Sequence, residues 1–509
     1  MGVVKRQGTK DSILALFGIL VGYANVMLVQ PYCLQPEEIG LIRVLIQLAM
    51  LLLPFILLST NAIVIRYFPY YNNKEKKHNG FIFFSLLIPL LGFIVVSILF
   101  LTFQNKILEQ YIEKSPLLTE YLFYSLPIAF FMAYCYVLNA LSRSFYRIVI
   151  PNFLVNTVPR LGIIMAIILY YFQYINQLQI VQSLIIIYFS ITVLLFFYVH
   201  HLGHLFLRPN WHIFKAKFLK EISVYAFYVV LGGFASTVII SIDTMMLAAL
   251  LGLKETGVYT IAFFIGTVIE VPRRSLSSIV TPLIAEAWKN DNLLKIKELY
   301  IKTSINQLII GSWIFLGVWL NIDDLFSLIH NGEIYKLGKY VVFFIGLSKI
   351  IDMLSGVNSE IIFTSVHYRF NFYISLILVV LTIVTNYILI PIYGIVGAAI
   401  ATAFSVFLFN LIKFIFIWLA FKIQPFSSKT LISILISVVC YFIIIYMPTI
   451  SYFLPKTLPA IALIVADILQ RSVVLTLIFF GLTFSTNISK DLNDLSFKLF
   501  SFFKNIILK

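Results

Sequence analysis

The run Asn386-Tyr387-Ile388-Leu389-Ile390-Pro391-Ile392-Tyr393-Gly394-Ile395-Val396-Gly397-Ala398-Ala399-Ile400-Ala401-Thr402 sets the reading of everything around it. Pro391 and Gly394 make a tight outward turn, and Gly397, Ala398, Ala399 and Ala401 let the returning segment approach another helix closely. On either side lies an apolar run long enough to cross a bilayer, so the stretch reads as a membrane hairpin. The rest of the chain agrees. Of 509 residues, 61% are apolar and only 12% charged, where a soluble domain has roughly half and a quarter.

A hydrocarbon core of roughly 30 Å needs about 20 apolar residues as helix. The expected spans are 12–29, 44–65, 81–103, 121–141, 152–172, 180–199, 222–250, 258–284, 304–320, 340–363, 372–390, 395–420, 431–447 and 460–483. That makes about fourteen. Period-2 alternation is missing from most of them, which argues against a membrane β-barrel and leaves an all-α polytopic membrane protein. Twenty-four of the 37 basic residues fall in the termini and alternate loops, seven on the opposite side and six within spans. By the positive-inside rule both termini are cytoplasmic, in a cell (inner) membrane.

The net charge of +15 is thus explained mainly by topology. No loop is large enough for a nucleic-acid-binding module, so no nucleic-acid partner is expected. Lys5-Arg6 before an apolar run resembles a signal peptide, but the run is long and lacks a small-residue cleavage site, so it reads as a retained first span. Cys33, Cys135 and Cys440 have no metal-ligand or disulfide spacing. His200, His201, His204, His212 and His367 read as solvated loop residues, and neither a metal nor a cofactor is expected. The tail 485–509, with Leu492, Leu495, Leu499 and Phe500 on one side, reads as a cytoplasmic amphipathic helix.

A repeat lies within the chain. Gln35-Pro36-Glu37-Glu38-Ile39-Gly40 resembles Leu253-Lys254-Glu255-Thr256-Gly257, with Glu38 and Gly40 matching Glu255 and Gly257 at an offset of 217. Each glycine opens a span with a mid-helix proline, Pro54 or Pro272. Six intervening spans preserve orientation, so the halves are parallel repeats. The expected organisation is an N-lobe over 1–204 (spans 1–6), a C-lobe over 205–421 (spans 7–12), two extra spans over 422–484 and the tail 485–509. Two six-helix lobes facing one another suit alternating access.

Asn386–Thr402 resembles the span 11–12 hairpin of the lipid-linked oligosaccharide (polysaccharide, Wzx-like) flippases of the multidrug/oligosaccharidyl-lipid/polysaccharide exporter superfamily. Asp243 followed by Leu247, Leu251-Gly252, Gly257 and Tyr259 is similar to that family's span 7–8 junction, and Arg66-Tyr67-Phe68-Pro69 to its span 2 exit. The resemblance implies a flippase, not an enzyme. Its cargo would be a polyprenyl-diphosphate-linked oligosaccharide for surface polysaccharide (capsule, lipopolysaccharide or O-antigen). Its partners would be that cargo, membrane lipids and other polysaccharide assembly proteins.

Charges at bilayer depth are costly and mark pathways. Arg160 sits about 13 Å into span 5 at 1.5 Å per residue. Glu270, Arg273 and Arg274 share one face of span 8. Guanidinium forks match phosphate oxygens in pairs, so Arg160, Arg273, Arg274, Arg66, Lys349 and Arg471 are the candidate substrate-binding residues, with Arg273 and Arg274 directed into a cavity and Arg160 opposite. Structural readings stand beside these. Asp467 and Arg471, at i and i+4, neutralise each other; Lys349 pairs with Asp352; Arg66 anchors topology; Lys413 snorkels to the inner surface. Asp243, Glu270 and Glu360 are candidates for ion coupling, or for pairing with an arginine of a neighbouring span. The alternatives in function are a cation-coupled multidrug exporter, which the basic interior disfavours, and a membrane glycosyl polymerase or ligase, which the short outer loops disfavour.

Overall fold

The computed structural model describes residues 2–73, 75–203, 205–210, 216–455, 457–489 and 491–493. Among the described residues every regular element is helical, as backbone satisfaction in lipid requires. Eleven helices are long and apolar enough to cross a membrane. They become twelve when Gly332–Leu354 and Asn358–Thr364, bent by 51°, count as one broken span. The difference from fourteen has two local causes. Tyr368–Phe421 is one of the eleven, but its 54 residues are two helices folded at Gly394 (φ 60°, ψ −139°). The expected span 258–284 is interrupted: Leu253–Thr267 passes through a 3₁₀ turn, Val268–Glu270, into Val271–Lys289. Pro272 lies in the first turn of that last helix, not in mid-helix as the repeat suggested. A proline ring withdraws one hydrogen bond from the preceding turn, so the helix restarts there.

The chain forms two compact units, Met1–Thr260 and Ile261–Lys509. In the first, Pro36–Leu57 packs against Phe81–Thr102, Ser125–Ser144 and Ala216–Leu250. Its start is fixed by a capping box, Gln35 N–H donating to Glu38 Oε2 at 2.8 Å, with Pro36 in the first turn. It stops where Leu58 and Ser59 turn left-handed, and Thr60–Tyr71 resumes. The repeated glycines meet here. A Cβ on Gly40 would strike the Leu253 carbonyl, and a Cβ on Gly257 would strike that of Pro36. Leu253 and Pro36 are themselves separated by the repeat offset, so the contact is reciprocal, as around a local two-fold axis.

In the second unit, Lys339–Leu354 packs against Tyr368–Phe421 and Leu293–Trp319. One apolar core gathers Ile284, Tyr300, Ile361 and Ile417, and another Ile309, Cys440 and Phe479. The hairpin behaves as its residues indicate: Gly397, Ala398, Ala399 and Ala401 are buried, and a Cβ on Gly397 would strike the Leu389 carbonyl. Outward surfaces carry large apolar side chains such as Leu20, Ile461 and Leu477, a pattern that water penalises and lipid does not. Most of the expected amphipathic tail, including Leu495, Leu499 and Phe500, lies outside the described residues, as do His204 and His212.

Candidate functional site

The break before Pro272 places Glu270 against the helix Lys339–Leu354. There Lys349 Nζ lies 2.8 Å from Glu270 Oε2, and Arg274 Nε lies 3.3 Å from Glu270 Oε1. Arg273 Nη1 reaches Asp352 Oδ2 at 3.1 Å. Asn410 donates to the other Asp352 oxygen at 3.2 Å and accepts from Asn358 Nδ2 at 2.8 Å. Lys413 Nζ donates to Ser359 Oγ at 2.7 Å and lies 3.6 Å from the centre of the Phe409 ring. Glu360 Oε2 and Arg273 Nε are buried and make no hydrogen bond among the described residues. Four cations and three carboxylates therefore share one region of the second unit. Arg273, Lys349, Glu270 and Asp352 are each at most about one-fifth exposed, whereas Arg274 is 70% exposed.

Two pairings differ from expectation. Lys349 is bonded to Glu270 and Asp352 to Arg273, so the ion pairs cross between helices. The reason is the 3₁₀ turn, which delivers Glu270 to the neighbouring helix. Lys413 does not snorkel: it is 2% exposed, and the short helix Asn358–Thr364 packs over Tyr368–Phe421, supplying the Ser359 hydroxyl that binds the ammonium.

In the first unit Arg160 donates to the Gly18 carbonyl and packs at Gly22, where a Cβ would lie 2.7 Å from its Nη1. Arg66 lies on Thr60–Tyr71, its guanidinium 4.5 Å from the centre of the Tyr225 ring and 5.3 Å from that of Tyr67, a cation–π arrangement. Asp243 is buried and accepts from Tyr259 at 2.9 Å. Arg43, one of the seven basic residues counted on the side opposite the termini, lies well inside Pro36–Leu57. With the Gln47 amide oxygen facing it, that oxygen accepts from Arg43 Nε and Nη2 at 3.2 and 2.8 Å, and the amide nitrogen donates to Ser241 Oγ at 2.7 Å. The i, i+4 spacing of Arg43 and Gln47 in an apolar run is the signal that could have found them.

Arg471 belongs to a separate pair. Its Nη1 lies 2.5 Å from Asp324 Oδ2 and 3.4 Å from the Leu320 carbonyl. Asp467, its expected partner, accepts instead from the Ser451 N–H at 2.9 Å. Asn358 and Asn410, central to the second-unit cluster, were not singled out in the sequence because amides carry no charge to count. Among the described residues no group of His, Cys, Asp or Glu is arranged to hold a metal, and all three cysteines are free thiols.

Residues 229–388 match the MatE family model. An uncharacterized membrane protein of Methanocaldococcus jannaschii is 22% identical over 440 residues, covering 79% of this chain and 81% of its own length. Among solved structures, the lipid II flippase MurJ in an inward closed conformation superposes with a TM-score of 0.68 at 14% identity, over 94% of this chain and 99% of that one. An inward-facing multidrug resistance MATE family transporter of the MOP superfamily gives 0.61, also at 14% identity, over 80% and 94%. The chain is a multi-pass membrane protein with the helical fold that these structures share.

Proposed function

We propose that this protein flips a polyprenyl-diphosphate-linked oligosaccharide, a precursor of surface polysaccharide, from the inner to the outer leaflet by alternating access. The observation that carries the reading is the cluster at the helix break, where Arg273, Arg274 and Lys349 stand beside carboxylates contributed by two different helices. Glu270 and Asp352 neutralise these cations. An arriving diphosphate takes over as counter-ion, so neither state leaves a buried charge alone. Arg274, exposed, makes the first contact. Arg160 is a second anchor, while Arg66 and Arg471 serve structure through Tyr225 and Asp324.

With both termini in the cytoplasm, the membrane potential drives the anion outward. At about 2.3 kcal/mol per charge per 100 mV, two charges across ~150 mV gain roughly 7 kcal/mol. Asp243, Glu270 and Glu360 are the acids a coupling proton or sodium ion would meet, Glu360 first because of its unpartnered oxygen. Assembly enzymes that make and consume the precursor are the natural partners. The relatives that support this reading are transporters by name, so no catalytic role is proposed.

A second reading, export of cationic drugs, draws on the MatE match and on the MATE structure. Its physical support is the buried carboxylate of Asp243. Depletion separates the two. A flippase leaves its lipid-linked intermediate on the inner leaflet when depleted; a drug exporter changes only drug susceptibility, and that outcome would overturn the proposal.

A further inference from the structure

At one end of the first unit, residues 33–38 and 170–179 enclose an open bowl of about 710 Å³, within the usual range for small-ligand sites of roughly 300–1,000 Å³. Its lining is chemically uniform. Tyr170, Tyr171 and Tyr174 contribute three phenols, and five carboxamides, Gln173 and Gln177 among them, surround a single carboxylate, Glu38. No Lys or Arg lines it among the described residues. Glu38 is held from two sides, by the Gln35 N–H and by the Tyr170 hydroxyl, so it is a fixed acceptor at the rim of the repeat motif. Tyr174 is 77% exposed.

We infer that this bowl is a saccharide subsite, taking the neutral sugar portion of the cargo. The inference rests on the proposed flippase reading. Sugar hydroxyls each donate and accept, and a carboxamide offers both functions on one planar group. Tyrosine presents an apolar ring face to the C–H face of a pyranose and a hydroxyl at its edge. Without Lys or Arg the bowl has nothing to attract a phosphate. A loop at the membrane interface needs polar and aromatic residues, and Asn176 and Gln179 cap the helix Gln177–His201 through each other's backbone N–H, but neither role needs Gln173, Gln177 and three phenols to converge on one hollow around an immobilised carboxylate.

Cys33 lines the same bowl, whereas Cys135 and Cys440 are 2% and 0% exposed, so the native protein carries its own reporter. In nanodiscs, alkylation of Cys33 by a maleimide is timed with and without the oligosaccharide repeat released by mild acid from the producing strain's lipid-linked intermediates. The expected result is a slowing of about tenfold at saturation, abolished in Tyr174→Ala/Gln177→Ala and absent with inorganic pyrophosphate. An unchanged rate with the oligosaccharide, equal protection in the double variant, or protection by pyrophosphate overturns the subsite. The flippase reading is tested apart from it. Accumulation of the intermediate on depletion, with no protection of Cys33, removes the subsite and keeps the transporter. Protection without accumulation leaves a sugar site on a protein that does not flip the precursor.

Discussion

Arg273→Gln distinguishes a cargo-binding arginine from a structural one. The substitution leaves Asp352 with only the Asn410 amide, at 3.2 Å, among the described residues. Breaking a buried pair costs about 3–5 kcal/mol, and since Arg273 and Asp352 keep 16% and 21% of their exposure the lower end, about 3 kcal/mol, applies. Membrane abundance should fall accordingly. Adding Asp352→Asn removes the orphaned carboxylate and should restore abundance. Export should stay lost, because a charge-assisted contact worth about 1.5–3 kcal/mol is still missing, equivalent to roughly a 10- to 150-fold loss in cargo affinity. Arg273→Lys should recover export in part, since it keeps the charge without the two-pronged geometry. The assay is complementation of surface polysaccharide in a depleted strain, with membrane abundance followed in parallel. Full export by the Arg273→Gln/Asp352→Asn protein at normal abundance would refute the assignment of the anion to this cluster.

Lys413→Ala should lower thermal stability, since emptying a buried site costs about 2–5 kcal/mol, and Lys413→Met should restore much of it; an unaffected Ala variant would mean the stem is not packed as described. Gly40→Ala and Gly257→Ala should each reduce the folded fraction in detergent, because the added methyl meets a backbone carbonyl that cannot rotate away, and normal melting of both variants would deny the close crossing. Single cysteines at Glu113 and Asp324 should be labelled from outside intact cells and one at Lys77 should not; external labelling of Lys77→Cys would sink the proposed orientation.

The helical class and the hairpin at Gly394 were legible because they depend on local features, apolar length and a proline–glycine turn. The matching glycines were legible as spacing, and the structure adds that Gly40 and Gly257 lie against each other's segments, at the Leu253 and Pro36 carbonyls. Pairings were not legible. Asp467 and Arg471 are neighbours on a helix, yet Arg471 turns to Asp324, 147 positions away. Lys413 has the stem length to snorkel, but Asn358–Thr364 covers it, and nothing in its own sequence neighbourhood announces that cover. Arg43 was misplaced because a charge count treats a residue at a span edge as a loop residue, while the capping box at Gln35 starts the helix two turns earlier.

The same distinction between local and crossing contacts is why, on the proposed reading, the cluster suits transport. An arginine paired with an acid on its own helix carries that partner through every conformation. Arg273 and Lys349 instead take their counter-ions from other helices, Asp352 from Lys339–Leu354 and Glu270 from the 3₁₀ turn beside Val271–Lys289. Such pairs persist only while the helices hold their present spacing, and a shift between them exposes both charges at once. The cost of that exposure, several kcal/mol per ion in a low-dielectric setting, is what a doubly charged cargo would cancel by entering. On the proposed reading, rearrangement without cargo is therefore disfavoured by the cluster itself, and the same residues that bind the diphosphate also restrain the empty protein from moving.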